Sequence, residues 1–219
     1  MTQSENTQSD ARTMKGSSLL LMKTAKAVVC LDRTARGWLS TAWLRVVFRC
    51  NGVRYGRRSR AIGIPSIRVS LGGKAIVGDD FYWRTGAENT NVGNVGSRLR
   101  VGPKGVLSIG DRVGMSNATI VCHESVTIGN RVHVGGGVQI FDTNFHSLKP
   151  EVRNADREDL SAARTAPVVV GDGCLLGTNA IICKGVTIGE NAVIGAGSVV
   201  VCDVGAGEIW AGNPARKLR

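Results

Sequence analysis

The chain has 219 residues and a formal net charge of +11, and it is 42% hydrophobic but only 5% aromatic, with 29 glycines. This length supports one globular domain with an appendage rather than two full domains. The low aromatic content argues against a β-sandwich or a helical bundle, because both build their cores from large side chains. Short, tight and repeated turns fit this composition better.

The N-terminal region is polar at first and then basic. Residues 1–16 are rich in Ser, Thr and Gln, which predicts a disordered lead-in. Residues 17–60 form a predicted basic amphipathic helical extension, because apolar residues recur at helical spacing between Lys and Arg. We expect one of two roles for 19–60: peripheral contact with an anionic membrane, or a cap on the rest of the protein. No nucleic acid partner is expected.

Targeting signals and reactive cysteines are not predicted. The first ten residues are polar, and the apolar run 19–22 is interrupted by Lys23 and Lys26, so neither a signal peptide nor a membrane span is expected. The six cysteines show no C-x-x-C spacing, and we interpret them as reduced thiols rather than a zinc site. These observations predict a cytoplasmic protein.

A six-residue repeat dominates the second half of the chain. Every sixth residue from Val170 to Val200 is aliphatic, glycine follows most of these positions, and a small or β-branched residue comes four places later. A period of six corresponds to one short strand plus one turn, so three repeats close a triangular coil with both series pointing inward. The sequence therefore predicts an all-β fold, a parallel β-helix over 61–204.

The repeat is also visible earlier and is interrupted once. The earlier aliphatic positions are Ile109, Met115, Val121, Ile128, Val134 and Ile140. Because Val121 and Ile128 are seven residues apart, a one-residue slip is predicted between them. Residues 141–167 then form a long loop containing His146, and loops of this length inside compact domains are commonly functional. Residues 205–219 are predicted to be a C-terminal basic tail.

These features resemble the hexapeptide-repeat acyltransferases, and within them the sugar O-acetyltransferase group that includes the maltose, galactoside and nodulation-factor enzymes. The similarity covers about 109–219 and is most specific in the 170–200 run, in the loop with His146 and in the ending 211–216. The resemblance implies a left-handed parallel β-helix of hexapeptide repeats with an N-terminal α-helical extension. It also implies a homotrimer that binds acetyl-CoA between subunits, with a sugar or glycan acceptor and no metal.

The resemblance and the chemistry together indicate candidate site residues. Acetyl transfer to a hydroxyl requires a base, and His146 matches the catalytic histidine of the family. Asp142 is the candidate that orients it, although an Asp at a loop start can also form a turn. Asn117 matches a residue that binds the acceptor. The positions that match acetyl-CoA contacts are Gly177, Thr178, Lys184, Gly195, Ala196, Arg216 and Arg219.

Several functions remain open from the sequence. The first is acetyl-CoA-dependent O-acetyl transfer to a sugar or polysaccharide precursor. An N-acetyltransferase for an amino-sugar or an antibiotic would use the same groove, and a non-catalytic β-helix scaffold would bind membrane or nucleic acid. A scaffold has no need for a histidine on a long loop. A γ-class carbonic anhydrase shares the fold, but Phe141 and Glu151 occupy positions where zinc-binding histidines would be needed.

Overall fold

The computed structural model describes residues 22–24, 26–27, 34–86, 96–154 and 162–219. The chain falls into two compact units, Met1–Leu39 and Ser40–Arg219. The described part of the first unit is helical and includes the beginning of helix α1, which covers 34–50. The lead-in predicted for 1–16 lies outside the described residues. Within the described part of the chain, no helix has both the length and the apolar character needed to cross a membrane.

Three sheets form the walls of a triangular coil in the second unit. The chain passes through sheets A, B and C in turn, and each strand pairs with its equivalents one coil earlier and one coil later. Val126 in sheet A, for example, is the register partner of Leu107 on one side and Val168 on the other. This arrangement confirms the predicted left-handed parallel β-helix, with a helix N-terminal to it.

The strands of the described residues are short, with six in sheet A, eight in sheet B and six in sheet C. Sheet A contains β1 (Arg54–Tyr55), β4 (Lys74–Val77), β7 (Val106–Ile109), β10 (Ser125–Ile128), β13 (Val168–Val170) and β16 (Thr187–Ile188). Sheet B contains β2 (Arg60–Ile62), β5 (Tyr82–Arg84), β8 (Gly114–Ser116), β11 (His133–Val134), β14 (Leu175–Leu176), β17 (Val193–Ile194), β19 (Ile209–Gly212) and β20 (Ala215–Lys217). Sheet C contains β3 (Ser66–Val69), β6 (Arg98–Val101), β9 (Thr119–Cys122), β12 (Gln139–Phe141), β15 (Ile181–Ile182) and β18 (Val199–Val200).

The two residue series of the repeat line the inside of the coil, as predicted. Both are buried from Val170 onward, the aliphatic series at Val170, Leu176, Ile182, Ile188, Ile194 and Val200, and the smaller one at Cys174, Ala180, Val186, Ala192, Ser198 and Val204. The glycines between them allow close stacking of the coils. A Cβ on Gly177 would lie only 2.5 Å from the backbone nitrogen of Ala196 in the next coil.

The predicted inward position of Val121 is wrong. Ile120 is the register partner of the inward Ile140, whereas Val121 pairs with the outward Phe141. The turn before β9 consists of only Asn117 and Ala118, so the repeat is first broken by a shortened turn, whereas the sequence predicted an extra residue between Val121 and Ile128. Asn117 makes this short turn by adopting a positive φ of 42°, a conformation that Asn tolerates better than most residues.

Residues 40–50 of α1 cover the first coil. Leu44 and Phe48 are buried in the same apolar cluster as the coil interior. The Thr41 hydroxyl accepts a hydrogen bond from the Ala61 N–H (3.1 Å), and the Asn51 side chain accepts one from the Val69 N–H (3.0 Å). The structure therefore supports the capping role for this part of the helix, because these contacts close the open end of the coil.

The first strand and the last strands lie in segments that the sequence assigned to other structures. β1 lies inside the segment predicted as a helical extension, so the coil starts before residue 61. Residues 205–219 contain β19 and β20, which pair antiparallel and cover the other end of the coil. Glu208 links the two strands of this hairpin by accepting hydrogen bonds from Trp210 Nε1 (2.8 Å) and Lys217 Nζ (2.5 Å). These hydrogen bonds, above all the one from Lys217, lower the pKa of Glu208 to about 2.

Candidate active site

The three edges of the coil carry different kinds of turn. We name them by the sheets that they join: the A–B edge, the B–C edge and the C–A edge. At the A–B edge, an Asp or Asn side chain in four successive coils accepts the backbone N–H of its equivalent one coil earlier; these residues are Asp79, Asp111, Asn130 and Asp172. This ladder stabilises the stacking of the coils. The candidate site residues lie on the other two edges and at the C-terminal hairpin.

The loop with His146 replaces a turn at the C–A edge, between β12 and β13. Its two ends run side by side, because Thr143 and Thr165 form an antiparallel bridge. The Asn144 N–H donates to the Arg164 carbonyl (3.0 Å) and the Ala166 N–H donates to the Asp142 carbonyl (3.0 Å). The base of the loop is therefore a short two-stranded neck that fixes where the loop leaves the coil.

The side chain of His146 is exposed, and its chain neighbours are anchored. Phe145 has a positive φ of 64°, and its ring packs edge-on against Phe141 at a centroid distance of 5.0 Å. Ser147 is buried, and its carbonyl accepts a hydrogen bond from Arg153 Nη1 (3.0 Å), which lies in helix α2 (Pro150–Arg153). Arg153 was not among the predicted site residues, but this contact ties α2 to the residue next to His146.

Asp142 is fully buried at the base of the loop. Its Oδ2 atom accepts backbone hydrogen bonds from His123 (2.9 Å), Glu124 (2.7 Å) and Ser125 (2.9 Å), and its Oδ1 atom also accepts from His123 (2.8 Å). The carboxylate thus holds the turn of the preceding coil, because the three backbone N–H groups of this turn converge on it as an anion. The predicted role of Asp142 in orienting His146 is a separate function. Oδ1 is the better candidate acceptor for it, because Oδ1 accepts one of these hydrogen bonds whereas Oδ2 accepts three.

The small residues predicted to contact acetyl-CoA lie together on the B–C edge. Leu176 and Ile194 are register partners, so Gly177 and Thr178 stack directly on Gly195 and Ala196. The Gly197 N–H donates to the Thr178 carbonyl (2.8 Å), which links the two turns. We call Gly177, Thr178, Gly195 and Ala196 the small-residue edge. Because its side chains are only the Thr178 side chain and the Ala196 methyl group, the backbone of the small-residue edge stays accessible.

Asn117 lies on the same B–C edge, two coils before Gly177. Its side chain is buried, and its Oδ1 accepts a hydrogen bond from the Gly86 N–H (2.8 Å). Its Nδ2 atom has no hydrogen-bond partner among the described residues. An acceptor contact by Asn117 remains a prediction, and Nδ2 is the side-chain atom that no described residue satisfies.

The basic candidates are distributed over three places. Lys184 lies on the C–A edge one coil after the loop, where the Gly185 N–H donates to the Ala166 carbonyl (3.1 Å). Arg216 is exposed in β20, opposite Ala211, which lies against Gly195 at the end of the small-residue edge. Arg219 is exposed and its backbone bonds to Ile209, at the other end of β19. Of these, Arg216 is the basic residue that the fold brings to the small-residue edge.

One chain therefore holds two separate groups of candidate residues. His146, Asp142 and Lys184 lie on the C–A edge, whereas Asn117 and the small-residue edge lie on the B–C edge. The width of sheet C separates the two groups.

Metal and thiol chemistry find little support in the described residues. No group of three or more His, Cys, Asp and Glu side chains there is arranged to hold a metal ion. Burial raises the pKa of the Cys122 thiol to about 12 and also raises that of Cys174, which disfavours the reactive thiolate. His123 and His133 are exposed, on a C–A turn and on sheet B respectively.

Sequence comparisons agree with this architecture. A family model described as the hexapeptide repeat of succinyl-transferase matches residues 167–202. Galactoside O-acetyltransferase of Escherichia coli K12 is 36% identical over 103 residues, which cover 47% of this chain and 48% of that protein. A 2,3,4,5-tetrahydropyridine-2,6-dicarboxylate N-acetyltransferase of Staphylococcus aureus is 32% identical over 93 residues, which cover 42% of this chain and 32% of that protein. The chain thus spans about half the length, or less, of these relatives.

Two solved structures share the fold. One is a mutant of AntD, an N-acyltransferase from Bacillus cereus, in complex with dTDP-4-amino-4,6-dideoxyglucose and coenzyme A; its TM-score is 0.58 at 17% identity, covering 80% of this chain and 88% of that one. The other is a hexapeptide-repeat-containing acetyltransferase from Vibrio cholerae. Its TM-score is 0.53 at 23% identity, and the match covers 83% of this chain and 81% of that one. The fold and repeat define a hexapeptide-repeat β-helix protein. Over its C-terminal half, the chain is similar in sequence to hexapeptide-repeat acyltransferases.

Proposed function

We propose that this protein transfers the acetyl group of acetyl-CoA to a hydroxyl group of a sugar or polysaccharide precursor. The observation that carries the proposal is the placement of His146, an exposed histidine on a loop that interrupts a regular coil and whose neighbours are anchored on both sides. The alignment with galactoside O-acetyltransferase supports a sugar hydroxyl as the acceptor.

The proposed reaction needs one base. A ring nitrogen of His146 removes the proton of the sugar hydroxyl while its oxygen attacks the thioester carbonyl carbon. The new C–O bond forms, the C–S bond breaks, and the imidazolium returns the proton to the departing coenzyme A thiolate. The products are an acetyl ester and the coenzyme A thiol. Asp142 Oδ1 is the candidate acceptor for the second ring nitrogen, which would fix the tautomer of His146.

The small-residue edge suits acetyl-CoA because a long, flexible ligand can lie against backbone that no large side chain covers. Arg216, at the end of this edge, is placed to bind a phosphate group through its guanidinium. Arg219 and Lys184 are further from it in the fold and are the weaker candidates for phosphate contacts.

We propose a homotrimer because one chain does not bring the two candidate groups together. A second copy that sets its small-residue edge beside the loop of the first would complete a site, and three copies related by a threefold axis would each give one edge and receive one loop. His146 and acetyl-CoA would then meet between subunits.

A second candidate reaction is acetyl transfer to an amine, as in an amino-sugar or an antibiotic. It is favoured by the alignment with an N-acetyltransferase of Staphylococcus aureus over 93 residues. The same groove and the same base would serve it. An assay that pairs each sugar with its amino-sugar counterpart distinguishes the two, since only the preferred acceptor supports acceptor-dependent release of the coenzyme A thiol.

Replacing Arg216 and Arg219 with alanine is expected to raise the KM for acetyl-CoA by about tenfold, because charge-assisted phosphate contacts are lost. The KM for the acceptor should change little, since a neutral sugar carries no phosphate. The measurement is steady-state kinetics with each substrate varied in turn. Arg112→Ala, at an exposed arginine on the A–B edge, is the matched control. An unchanged KM for acetyl-CoA would remove both residues from the site.

We also propose that the outer face of α1 contacts an anionic membrane surface from the cytoplasm. Trp43 and Val46 are about half exposed, at 50% and 48%, while Leu44 and Phe48 on the opposite face are buried. Arg45 and Arg49 are exposed on the same turns. Each basic residue near an anionic leaflet contributes about 1 kcal/mol, and exposed Trp suits the headgroup region.

Membrane contact is tested with the full chain and phosphatidylserine-containing vesicles. The wild type is expected to co-sediment at low salt and to be released as salt rises, and Trp43→Ser with Val46→Ser should reduce binding by about tenfold. Leu71→Ser with Leu218→Ser, at two exposed apolar residues elsewhere, is the matched control. Absence of wild-type binding, or equal binding by both variants, would contradict membrane contact. Both variants leave the buried cap residues unchanged.

A further inference from the structure

Three arginines lie together on the outward face of sheet C. Side chains alternate between the two faces of a strand, and Arg68, Arg98 and Arg100 occupy exposed positions of β3 and β6. Arg68 and Arg100 are register partners, so their Cα atoms are about 4.8 Å apart, and Arg98 is two positions along the same strand. We call these residues the arginine patch.

The arginine patch has no counter-charge in the described part of the chain. None of its three side chains forms an ion pair or hydrogen bond there, and the outward positions of the following sheet C strands are uncharged; these are Thr119, Val121, Gln139, Phe141, Ile181 and Val199. Ion pairs do form elsewhere in the described residues, as in Arg58 with Asp80 and Lys217 with Glu208.

The adjoining C–A edge adds further positive charge. Lys104 is exposed in the turn between β6 and β7, and Lys74 is exposed as the first residue of β4. Glu124 is the acidic residue in the turn after β9. Like charges on neighbouring strands destabilise a sheet. Binding of an anion would relieve this repulsion.

The arginine patch is continuous with the base of the loop that contains His146. Arg100, Val121 and Phe141 are successive register partners across sheet C, and Phe141 packs against Phe145, the neighbour of His146. Val121 points outward and yet is only 7% exposed. Two strand spacings, about 10 Å, separate Arg100 from Phe141. A chain-like ligand held at the arginine patch can therefore extend along sheet C to the loop.

We propose that the acceptor is an acidic glycan whose carboxylate-bearing sugar units bind to Arg68, Arg98 and Arg100 while another unit reaches His146. This inference rests on the proposed function and names its substrate class. Guanidinium groups form paired hydrogen bonds with carboxylates, and several of them in a row suit a ligand that repeats its charge. Nucleic acid fits less well, because the aromatic residue on the outward face of the described sheet C strands, Phe141, already packs against Phe145 and is not free to stack on a base.

Binding is measured first, without acetyl-CoA, using the full chain, an oligoglucuronate and the same oligosaccharide with its carboxyl groups reduced. The wild type is expected to bind the acidic form at least about tenfold more tightly, with affinity falling as salt rises. The triple variant Arg68→Gln, Arg98→Gln and Arg100→Gln should lose this preference. Arg57→Gln, Arg60→Gln and Arg112→Gln, at three exposed arginines on or beside the A–B edge, should keep it.

Acetyl transfer is then measured with both oligosaccharides and with a small neutral sugar. The patch variant should raise the KM for the oligoglucuronate by about tenfold or more and leave turnover of the small sugar and the KM for acetyl-CoA unchanged. Equal wild-type binding of the acidic and reduced forms, or an unchanged preference in the patch variant, overturns the proposal even if neutral sugars are acetylated. Tighter arginine-dependent binding of a single-stranded oligonucleotide or of anionic vesicles overturns it as well. Binding without any acetyl transfer would leave the patch as a glycan site and contradict the proposed function instead.

Discussion

Replacing His146 with alanine is expected to lower the rate of acetyl transfer by about 10²–10⁴-fold, the usual contribution of a positioned base. The side chain is exposed, so its removal should leave the fold and the thermal unfolding temperature unchanged. Turnover is followed by the release of the coenzyme A thiol at saturating acetyl-CoA. The loss should appear in kcat, because the base acts on the transition state rather than on substrate binding.

The matched control for this variant is His123→Ala. His123 is also exposed on the C–A edge, and it contacts Asp142 through its backbone N–H, which the substitution retains. This variant is expected to keep wild-type turnover. If His146→Ala stays within about threefold of wild type, a general-base role for this residue is excluded, since that is less than any positioned base contributes. Equal losses in both variants would indicate a general disturbance of the edge.

Replacing Asp142 with alanine is expected to lower the free energy of unfolding by about 3–5 kcal/mol, because three backbone N–H groups lose a buried, charged acceptor. Chemical denaturation of the full chain measures this directly. The structural reason is that the carboxylate holds the turn at 123–125 from a position 17 to 19 residues further along the chain.

Asp142→Asn separates the structural role from the orienting role. The amide keeps one oxygen acceptor, so part of the stability should return, but its nitrogen cannot accept the ring N–H of His146. If Asp142 orients His146, the Asn variant should show a shifted pH profile of kcat in addition to any loss of stability. An unchanged pH profile in a folded Asn variant would limit Asp142 to holding the turn. Wild-type stability of Asp142→Ala would contradict the structural role.

The regular part of the fold was predictable because each residue series has a single physical role. From Val170 onward, aliphatic and small residues alternate in the coil interior with the spacing that three-sided coils require. The period fails at Val121 because the coil there is shortened by a two-residue turn at Asn117, and a hexapeptide count has no signal for such a turn. The irregular spacing before Ile109 likewise concealed that Arg68 and Arg100 are neighbours.

The candidate site was predictable only in part. The sequence indicated His146 and the small residues at 177–178 and 195–196, but it did not indicate that these lie on different edges of one coil. It also treated Asp142 as a partner of His146 or a local turn former, whereas the carboxylate binds backbone of the preceding coil. Contacts of this kind depend on which turns stack, and a linear pattern does not contain that information.

Acceptor-dependent release of the coenzyme A thiol is the measurement that tests the proposed function most directly. The purified full chain is incubated with acetyl-CoA and a panel of neutral sugars, acidic oligosaccharides and amino-sugars, and the acceptors are analysed for a gained acetyl group by mass spectrometry. The proposed function predicts thiol release that requires a sugar hydroxyl acceptor, matches the acetyl ester formed mole for mole, and is lost in His146→Ala. Thiol release that no acceptor stimulates, or that persists in full in His146→Ala, would contradict it.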